Sequence, residues 1–270
     1  MFLSHFMPDF KTLFTLLALC LLVISCSPSR QVQSSLADQQ LQVQGLVSQW
    51  PIPDQQRVQT EYLDYYITNN EEFLFLRVDF KNRRLFDEAN RFGFTVYFDN
   101  KEKVKRSFGL TYPTGVIMQL GEIPGVQREY FENPGWEGNP QNRNLLESLE
   151  RNMSGQAMLM QRNDRRAAIR PAPISLSQLQ AQGIDLELDQ SSRNMSIAFK
   201  IPLQSSRFHQ FALDTQPGQA FNLGFEVKAP TLDEIDPNKD ISDDARRRIA
   251  YQLPSAYEHW VRVTLADAPR

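Results

Sequence analysis

Alternation of apolar and polar residues with a period of two, beginning at Leu63, most limits how this chain can fold. Leu63, Tyr65 and Ile67 fall on one face of an extended segment, with Asp64 and Tyr66 between them. This period is typical of a β-strand with one buried face, whereas in a helix it would scatter the same residues around the axis. The pattern therefore predicts a strand.

Similar segments recur along the chain. Residues 69–72 form a polar turn, and Phe73 to Phe80 (FLFLRVDF) is apolar enough for the middle of a sheet, so a hairpin is predicted. Other predicted strands are Phe92 to Phe98, Val104 to Tyr112, Ile184 to Leu188, Asn194 to Ile201, Phe221 to Val227 and His259 to Leu265. Roughly eight to ten short strands predict an all-β fold, a jelly-roll-like antiparallel β-sandwich.

The middle of the chain has a different composition. Residues 113–173 carry clusters of Gly, Pro and Asn, such as ENPGWEGNPQNRN. Such clusters are typical of loops. We expect a long loop and helix excursion here, with a helix at Leu145 to Arg151 and a strand at Ala157 to Gln161.

An export signal is predicted at the N-terminus. The apolar run from Leu13 to Ile24 is too short to span a bilayer, which takes about 20 residues, and is typical of a signal peptide. The run ends in Val-Ile-Ser-Cys, which resembles the lipobox of bacterial lipoproteins. That resemblance implies cleavage after Ser25 and lipid attachment at Cys26. The alternatives are an ordinary signal peptide with an accidental cysteine, or a buried core segment.

Cysteine content and the following segment favour the lipoprotein interpretation. Cys20 and Cys26 are the only cysteines, so the mature chain would keep one thiol and form no internal disulfide. Residues 26–44 are rich in Ser and Gln, a composition that favours a flexible tether. The predicted partition is a signal peptide over 1–25, a tether over 26–44, a sandwich domain over 45–266 and a tail over 267–270.

The predicted location is the bacterial cell envelope, with the membrane as a partner through lipidated Cys26. Ser27 stands where inner-membrane lipoproteins of enteric-type bacteria carry Asp, which favours the outer membrane. The segment Ser-Pro-Ser-Arg-Gln lacks the acidic cluster of a surface-export tag, which favours the periplasmic face. A net charge of −3 gives no broad basic excess for nucleic acid.

The order of several segments resembles the family 9 carbohydrate-binding modules, especially divergent versions on lipoproteins of Bacteroidetes-like bacteria. The matching segments are Gly45, Trp50, LDYYITNNEEFLFLRVDF, GFTVYFDNKEK, FGLTYP, Ile201-Pro202-Leu203, FNLGFEV and Trp260 to Leu265. The resemblance covers most of residues 45–266. It implies a jelly-roll-like β-sandwich of sugar-binding ancestry.

A candidate ligand site is predicted around Trp136, because the C–H faces of a pyranose pack on aromatic rings while nearby polar groups bond its hydroxyls. Trp136 follows Tyr130 and Phe131 and precedes Asn139 in the Gly, Pro and Asn cluster. The alternative, which we favour, is that Trp136 packs a long loop onto the sandwich. Core packing is predicted for Trp50 and Trp260, which lie in the first and last core elements.

The sequence offers little support for catalysis, and no cofactor, metal site or catalytic residue is predicted. His209 and His259 lack the spacing of a zinc site, and the motifs of serine hydrolases and nucleotide-binding proteins do not occur. The acidic stretch with Asp233, Asp236 and Asp240 offers oxygen ligands for calcium, but a solvated loop and a salt-linked helix are favoured because Arg246 to Arg248 follow.

Three functions follow from these observations. The first is a lipid-anchored, non-catalytic β-sandwich that binds a glycan or another envelope ligand. The second is an envelope assembly or protein-interaction lipoprotein that docks a partner through residues 113–173. The third is a hydrolase with an unrecognised pair of acidic residues, since two carboxylates far apart in sequence can meet in a fold.

Overall fold

The computed structural model of the chain describes residues 31–37, 57–100, 104–161, 171–190 and 195–267. Cys26, Gly45 and Trp50 lie outside these residues, so the lipid site and the role of Trp50 stay predictions. The described strands are β1 Gln31–Gln33, β2 Ser35–Leu36, β3 Val58–Gln59, β4 Leu63–Asn69, β5 Phe73–Phe80, β6 Thr95–Asp99, β7 Phe108–Thr111, β8 Gln156–Gln161, β9 Ala172–Ser175, β10 Asp185–Asp189, β11 Ser196–Pro202, β12 Ala220–Val227 and β13 Tyr257–Thr264.

Helices lie between the strands and outside the sheets. Their bounds are α1 Arg83–Phe92, α2 Val116–Gly121, α3 Val126–Glu132, α4 Pro140–Met153, α5 Leu176–Ala181, α6 Leu232–Ile235 and α7 Asp243–Gln252, with a 3-10 turn at Trp136–Gly138. Helix α1 begins where the side chain of Asn82 accepts from the backbone N–H of Arg84 at 2.8 Å. It ends at Gly93, whose φ of 90° a residue with a side chain rarely adopts.

The strands form two sheets within the described residues. One sheet has seven strands in the order β1-β13-β12-β6-β7-β8-β9, and the other has six, in the order β10-β11-β5-β4-β2 with β3 beside β4. Their facing sides form one apolar core, in which the rings of Tyr65 and Phe225, one from each sheet, have centroids 5.0 Å apart. The predicted all-β sandwich is confirmed.

The N-terminal strands depart from the predicted antiparallel pattern. β1 runs parallel to β13, with Gln31 beside Arg262, and β2 runs parallel to β4, with Ser35 beside Thr68. Between these strands Ser34 is buried, and its hydroxyl donates to Asn69. The segment therefore joins both sheets at one end of the sandwich.

This pairing corrects part of the predicted tether. Residues 31–36 lie within the range 26–44 that composition assigns to a flexible segment, yet they form ladder hydrogen bonds to β13 and β4. Edge pairing with established strands supplies stability that the Ser- and Gln-rich sequence lacks by itself. The remaining bounds of the predicted domain partition stay predictions.

The excursion over residues 113–173 contains more helix than predicted. The helix expected at Leu145 to Arg151 is present as the longer α4, and the strand expected at Ala157 to Gln161 is β8. Helices α2 and α3 and strand β9 also lie in this part of the chain. Buried residues of these helices, among them Ile117, Leu120 and Phe131, belong to the same apolar core.

Candidate functional site

An aromatic surface lies on the outer face of the seven-stranded sheet. In register across five neighbouring strands stand Trp260 on β13, Gly224 on β12, Tyr97 on β6, Gly109 on β7 and Met160 on β8. All five residues occupy one face because side chains on adjacent strands at paired positions point the same way. Two large rings therefore alternate with two glycines along one row.

The two glycines make room for the two rings. A Cβ built on Gly224 would lie 2.5 Å from Cζ3 of Trp260, and one built on Gly109 would lie 2.8 Å from Cδ1 of Tyr97. The rings lean over the glycines, with centroids 5.7 Å apart and planes 20° apart. Trp260 remains half-buried, whereas Tyr97 is only 6% exposed. Trp260 is thus the ring of this surface that a ligand can reach.

Charged groups border the rings on one side. Glu226 and Glu258 stand directly opposite each other on β12 and β13, an arrangement that is unfavourable for like charges. Nη2 of Arg106 lies 2.9 Å from a carboxylate oxygen of each residue, so the guanidinium offsets their repulsion. The hydroxyl of Tyr97 donates to Glu226 at 2.8 Å, and the indole N–H of Trp260 donates to Glu258.

Asp99 holds the loop that carries Arg106. The buried carboxylate of Asp99 accepts from the backbone N–H of Arg106 at 2.8 Å, from the backbone N–H of Lys105, and from the hydroxyl of Ser107 at 2.6 Å. These bonds hold Arg106 at a φ of 53°, a conformation that is uncommon outside glycine. The guanidinium then lies 5.4 Å above the ring of Tyr97.

These contacts shift two pKa values in opposite directions. Burial, together with the neighbouring charge of Glu226, raises the pKa of Tyr97 above its ordinary value of 10.0. The hydrogen bond from Trp260, assisted by Arg106, lowers the pKa of Glu258 below 4.5, although partial burial opposes the change. Glu258 is therefore ionised at neutral pH and has no proton to donate as a general acid.

A second polar pair lies next to Trp260 on the same face. Asn222 and Arg262 stand opposite each other on β12 and β13, and Nη1 of Arg262 lies 3.3 Å from Oδ1 of Asn222. Trp260 therefore has Glu258 and Arg262 two residues away on either side. The ring is bordered by hydrogen-bond donors and acceptors, as small-molecule sites commonly are.

Of the predicted site residues, Tyr130, Phe131 and Trp136 pack together, with Phe131 and Trp136 buried and Asn139 exposed. The rings of Tyr130 and Trp136 have centroids 5.4 Å apart, and those of Tyr130 and Phe131 are 5.2 Å apart. Trp136 is 3% exposed and Phe131 is also buried, both within the apolar core. Asn139 caps α4 by accepting from the N–H of Gln141. Trp136 thus packs in the core, which is the alternative that the sequence favoured. Its ring is not accessible to a sugar.

Trp260 corrects the prediction of core packing. Val261 and Val263 point into the core, so alternation along β13 turns Trp260 to the outer face. This alternation is visible in the sequence, but a large aromatic residue in a core strand favours core packing on residue type alone. The pairing with Gly224, by contrast, depends on the register of β12 and β13.

The candidate histidine His259 and the acidic stretch make contacts that stabilise the fold. His259 lies 3.4 Å from the hydroxyl of Tyr65 and stacks on Phe225 at an angle of 8°. The carboxylate of Asp236 accepts from the backbone N–H groups of Asp240 and Ile241, and Nη1 of Arg246 lies 2.8 Å from it. The acidic stretch thus includes a loop that is tied by ion pairs to helix α7, close to the loop and salt-linked helix that the sequence favoured, although Asp236 is buried and not solvated.

Neither a metal cluster nor a membrane-spanning helix occurs among the described residues. No group of three or more His, Cys, Asp and Glu side chains in this part of the chain is arranged to hold a metal ion. No helix among the same residues is both long enough and apolar enough to cross a membrane.

Comparisons with known proteins give a distant structural likeness. No protein-family model and no curated protein matches the chain. Two solved structures of a family 9 carbohydrate-binding module from Caldicellulosiruptor kristjanssonii, one in complex with glucose and one with cellotriose, are similar at 6% identity and a TM-score of 0.37. Each similarity covers 89% of this chain, and it covers 97% and 95% of the respective modules. The β-sandwich assignment rests on the two packed sheets themselves.

Proposed function

We propose that this chain is a non-catalytic β-sandwich that binds a glycan on the outer face of its seven-stranded sheet, and that a lipid on Cys26 holds it at the bacterial envelope. One observation carries the glycan proposal: the half-buried ring of Trp260 lies flat over Gly224 and beside Tyr97, with charged groups around it. The C–H face of a pyranose packs on such a ring.

The polar groups around Trp260 can bond the hydroxyls of a sugar. Hydroxyls need both donors and acceptors, and Arg106, Glu258 and Arg262 provide both within reach of Trp260. Arg106 already bonds Glu258, and Arg262 bonds Asn222, which reduces the conformational entropy lost when a ligand binds. A preorganised border supports binding at this surface.

Binding is favoured over hydrolysis by the state of the carboxylates. A glycoside hydrolase needs one protonated carboxylic acid and one ionised carboxylate beside the scissile bond. Glu226 and Glu258 share one guanidinium, and the pKa of Glu258 is lowered by the hydrogen bond from Trp260 and by Arg106. The arrangement stabilises negative charge on Glu258, which suits a hydrogen-bond acceptor.

The position of β1 limits the distance between the proposed lipid on Cys26 and the sandwich. Residues 27–30 separate Cys26 from β1, and an extended chain over this stretch spans at most about 18 Å. A lipidated Cys26 would therefore hold the β1 and β13 end of the sandwich close to the bilayer. The outer membrane and its periplasmic face remain the proposed location, and the ligand would then be an envelope glycan or a polysaccharide that reaches it.

A glycan array tests the binding proposal. Protein that starts at residue 26 and carries Cys26→Ser, and so has neither the apolar leader nor the lipid, is applied to envelope and plant polysaccharides and their oligosaccharides. We expect saturable binding to at least one class and a loss of about tenfold or more in Trp260→Ala. Tyr251→Ala, which removes a 93% exposed ring elsewhere, is the control and should bind normally. Silence of the unsubstituted protein across the array would reject the proposal.

A further inference from the structure

A cleft of about 670 Å³ lies beside β10, the edge strand of the six-stranded sheet, whereas Trp260 belongs to the other sheet. Strand β10 forms one wall, and the C-terminal ends of α1 and α4 form the opposite walls. The volume lies within the usual range for small-molecule sites. Neither the aromatic surface nor the predicted residues around Trp136 belong to it.

Much of the wall is apolar. Leu186 and Leu188 on β10, Leu176 at the start of α5, Met153 at the end of α4 and Val116 at the start of α2 line the cleft. Leu186, Met153 and Val116 are buried, so this lining is already part of the packed interior. An occupant with an aliphatic portion would gain from contact with it.

The polar atoms of the lining are mainly acceptors. Oδ1 of Asn90 is buried and has no hydrogen-bond partner within the part of the chain that the structure describes. In the described residues no hydrogen bond or ion pair involves the carboxylates of Glu187 and Glu150, of which Glu187 is half-buried and Glu150 lies at the rim. The hydroxyl of Tyr112 donates to the carbonyl of Ser154 at 3.4 Å, which leaves its oxygen free to accept.

Among the described residues that line the cleft, the one cation, Arg91, is directed to other groups. Arg91 lines the rim, but its Nη2 donates to the hydroxyl of Tyr130 at 3.2 Å and its guanidinium lies 5.2 Å from the ring of Phe92. The carboxylate of Glu187 and two uncharged acceptors therefore line the interior, with the carboxylate of Glu150 at the rim. An anionic ligand would be repelled, whereas a ligand rich in N–H donors would satisfy Asn90 as well.

We propose that this cleft binds a small organic cation, a primary amine on an aliphatic chain, with the ammonium group between Glu187 and Asn90 and the chain against Leu186 and Leu188. Burial, together with the charge of Asp189, raises the pKa of Glu187 above its ordinary value. An ammonium group beside Glu187 would offset that burial cost and donate three hydrogen bonds. Such binding is independent of the glycan surface.

Calorimetric titration with 1-aminopentane tests this proposal. The mature chain from residue 26 carrying Cys26→Ser should bind it saturably, while 1-pentanol, which has the same five-carbon chain and no charge, should bind at least about tenfold more weakly. Glu187→Gln should weaken amine binding by about tenfold or more, and Asn90→Ala should weaken it by a smaller factor. Thermal unfolding of each variant checks that it is folded.

Two control variants distinguish binding in this cleft from binding elsewhere on the protein. Glu147→Gln removes the same charge from the same helix as Glu150 but outside the cleft lining, and should leave the affinity within about twofold. Trp260→Ala should also leave it unchanged, even if glycan binding is lost. Absence of saturable binding at millimolar amine, or equal affinity in folded Glu187→Gln, would overturn the proposal.

Discussion

Gly224 lies directly opposite Trp260 on the neighbouring strand, and a Cβ at this glycine would stand 2.5 Å from the indole ring. Gly224→Ala should therefore displace Trp260, with a loss of about 1–3 kcal/mol in the free energy of unfolding and weaker glycan binding. Urea denaturation measures the loss of stability, tryptophan fluorescence measures the displacement of the ring, and the glycan array measures the weaker binding. Gly138→Ala is the matched control, because nothing lies within 4 Å of a Cβ at Gly138. Unchanged stability and fluorescence in Gly224→Ala would contradict the described packing.

Arg106 should stabilise the protein by separating two like charges. Arg106→Gln leaves Glu226 and Glu258 opposite each other without a cation, and should lower the free energy of unfolding at pH 7 by about 1–2 kcal/mol. The side chain of Arg106 is 39% exposed, so solvent screening keeps the loss below that of a fully buried pair. Arg143→Gln, the same exchange at an exposed position on α4, is the control and should change the free energy of unfolding little.

The loss in Arg106→Gln should depend on pH. The folded-state pKa of Glu258 lies below its unfolded value of 4.5, so its contribution to stability is present above that pH and is lost as the pH falls through the folded pKa. The difference between Arg106→Gln and the unsubstituted protein should therefore shrink as the pH falls from 4.5 through the folded-state pKa of Glu258. Urea denaturation across this range measures it, and a difference that grows on acidification would show that Arg106 acts through other contacts.

Trp136 should contribute to stability and not to ligand binding. Because the ring is buried in the core, Trp136→Ala should lower the free energy of unfolding by about 3–5 kcal/mol. Trp136→Phe should cost only about 1–2 kcal/mol, since Nε1 has no hydrogen-bond partner to lose. Thermal and urea denaturation compare the two. A folded Trp136→Phe that has lost glycan binding would restore Trp136 as a site residue.

Cys26 should determine where the protein fractionates. Cys26→Ser, with residues 1–25 exchanged for an ordinary cleavable signal peptide so that no leader remains, should move the protein from the membrane fraction to the soluble fraction, because two or more acyl chains on one residue hold a protein stably at a bilayer. Intact-mass analysis of the native protein should show a chain that begins at Cys26 and carries the lipid. An uncut leader, or an unmodified Cys26 in the membrane fraction, would contradict the lipoprotein proposal.

Local patterning predicts the central hairpin well. β5 is the predicted segment Phe73–Phe80, and β4 begins at the predicted Leu63, because alternation and a polar turn determine both strands. Strands β1 and β2 are not predictable in this way, since their Ser- and Gln-rich sequence forms strands only by pairing with β13 and β4. The short helices of the excursion escape prediction because flanking glycines and prolines indicate loops equally well.

The candidate site is harder to predict from the sequence than the strands are. Alternation along β13 by itself predicts that Trp260 points outward, because its neighbour Val261 and Val263 point into the core. Its proximity to Gly224 and Tyr97 depends on the register of three strands, which no local pattern specifies. The bridge from Arg106 to Glu226 and Glu258 depends on the loop held by Asp99, a contact between residues remote in sequence.

The most direct test of the glycan proposal follows the indole N–H signals of the protein by nuclear magnetic resonance. Trp260→Phe identifies the Trp260 signal by its loss, and Trp136→Phe identifies that of Trp136. Titration with the oligosaccharide that binds best on the array should move the Trp260 signal and leave the Trp136 signal in place. A Trp260 signal that stays fixed while the sugar binds would contradict the account.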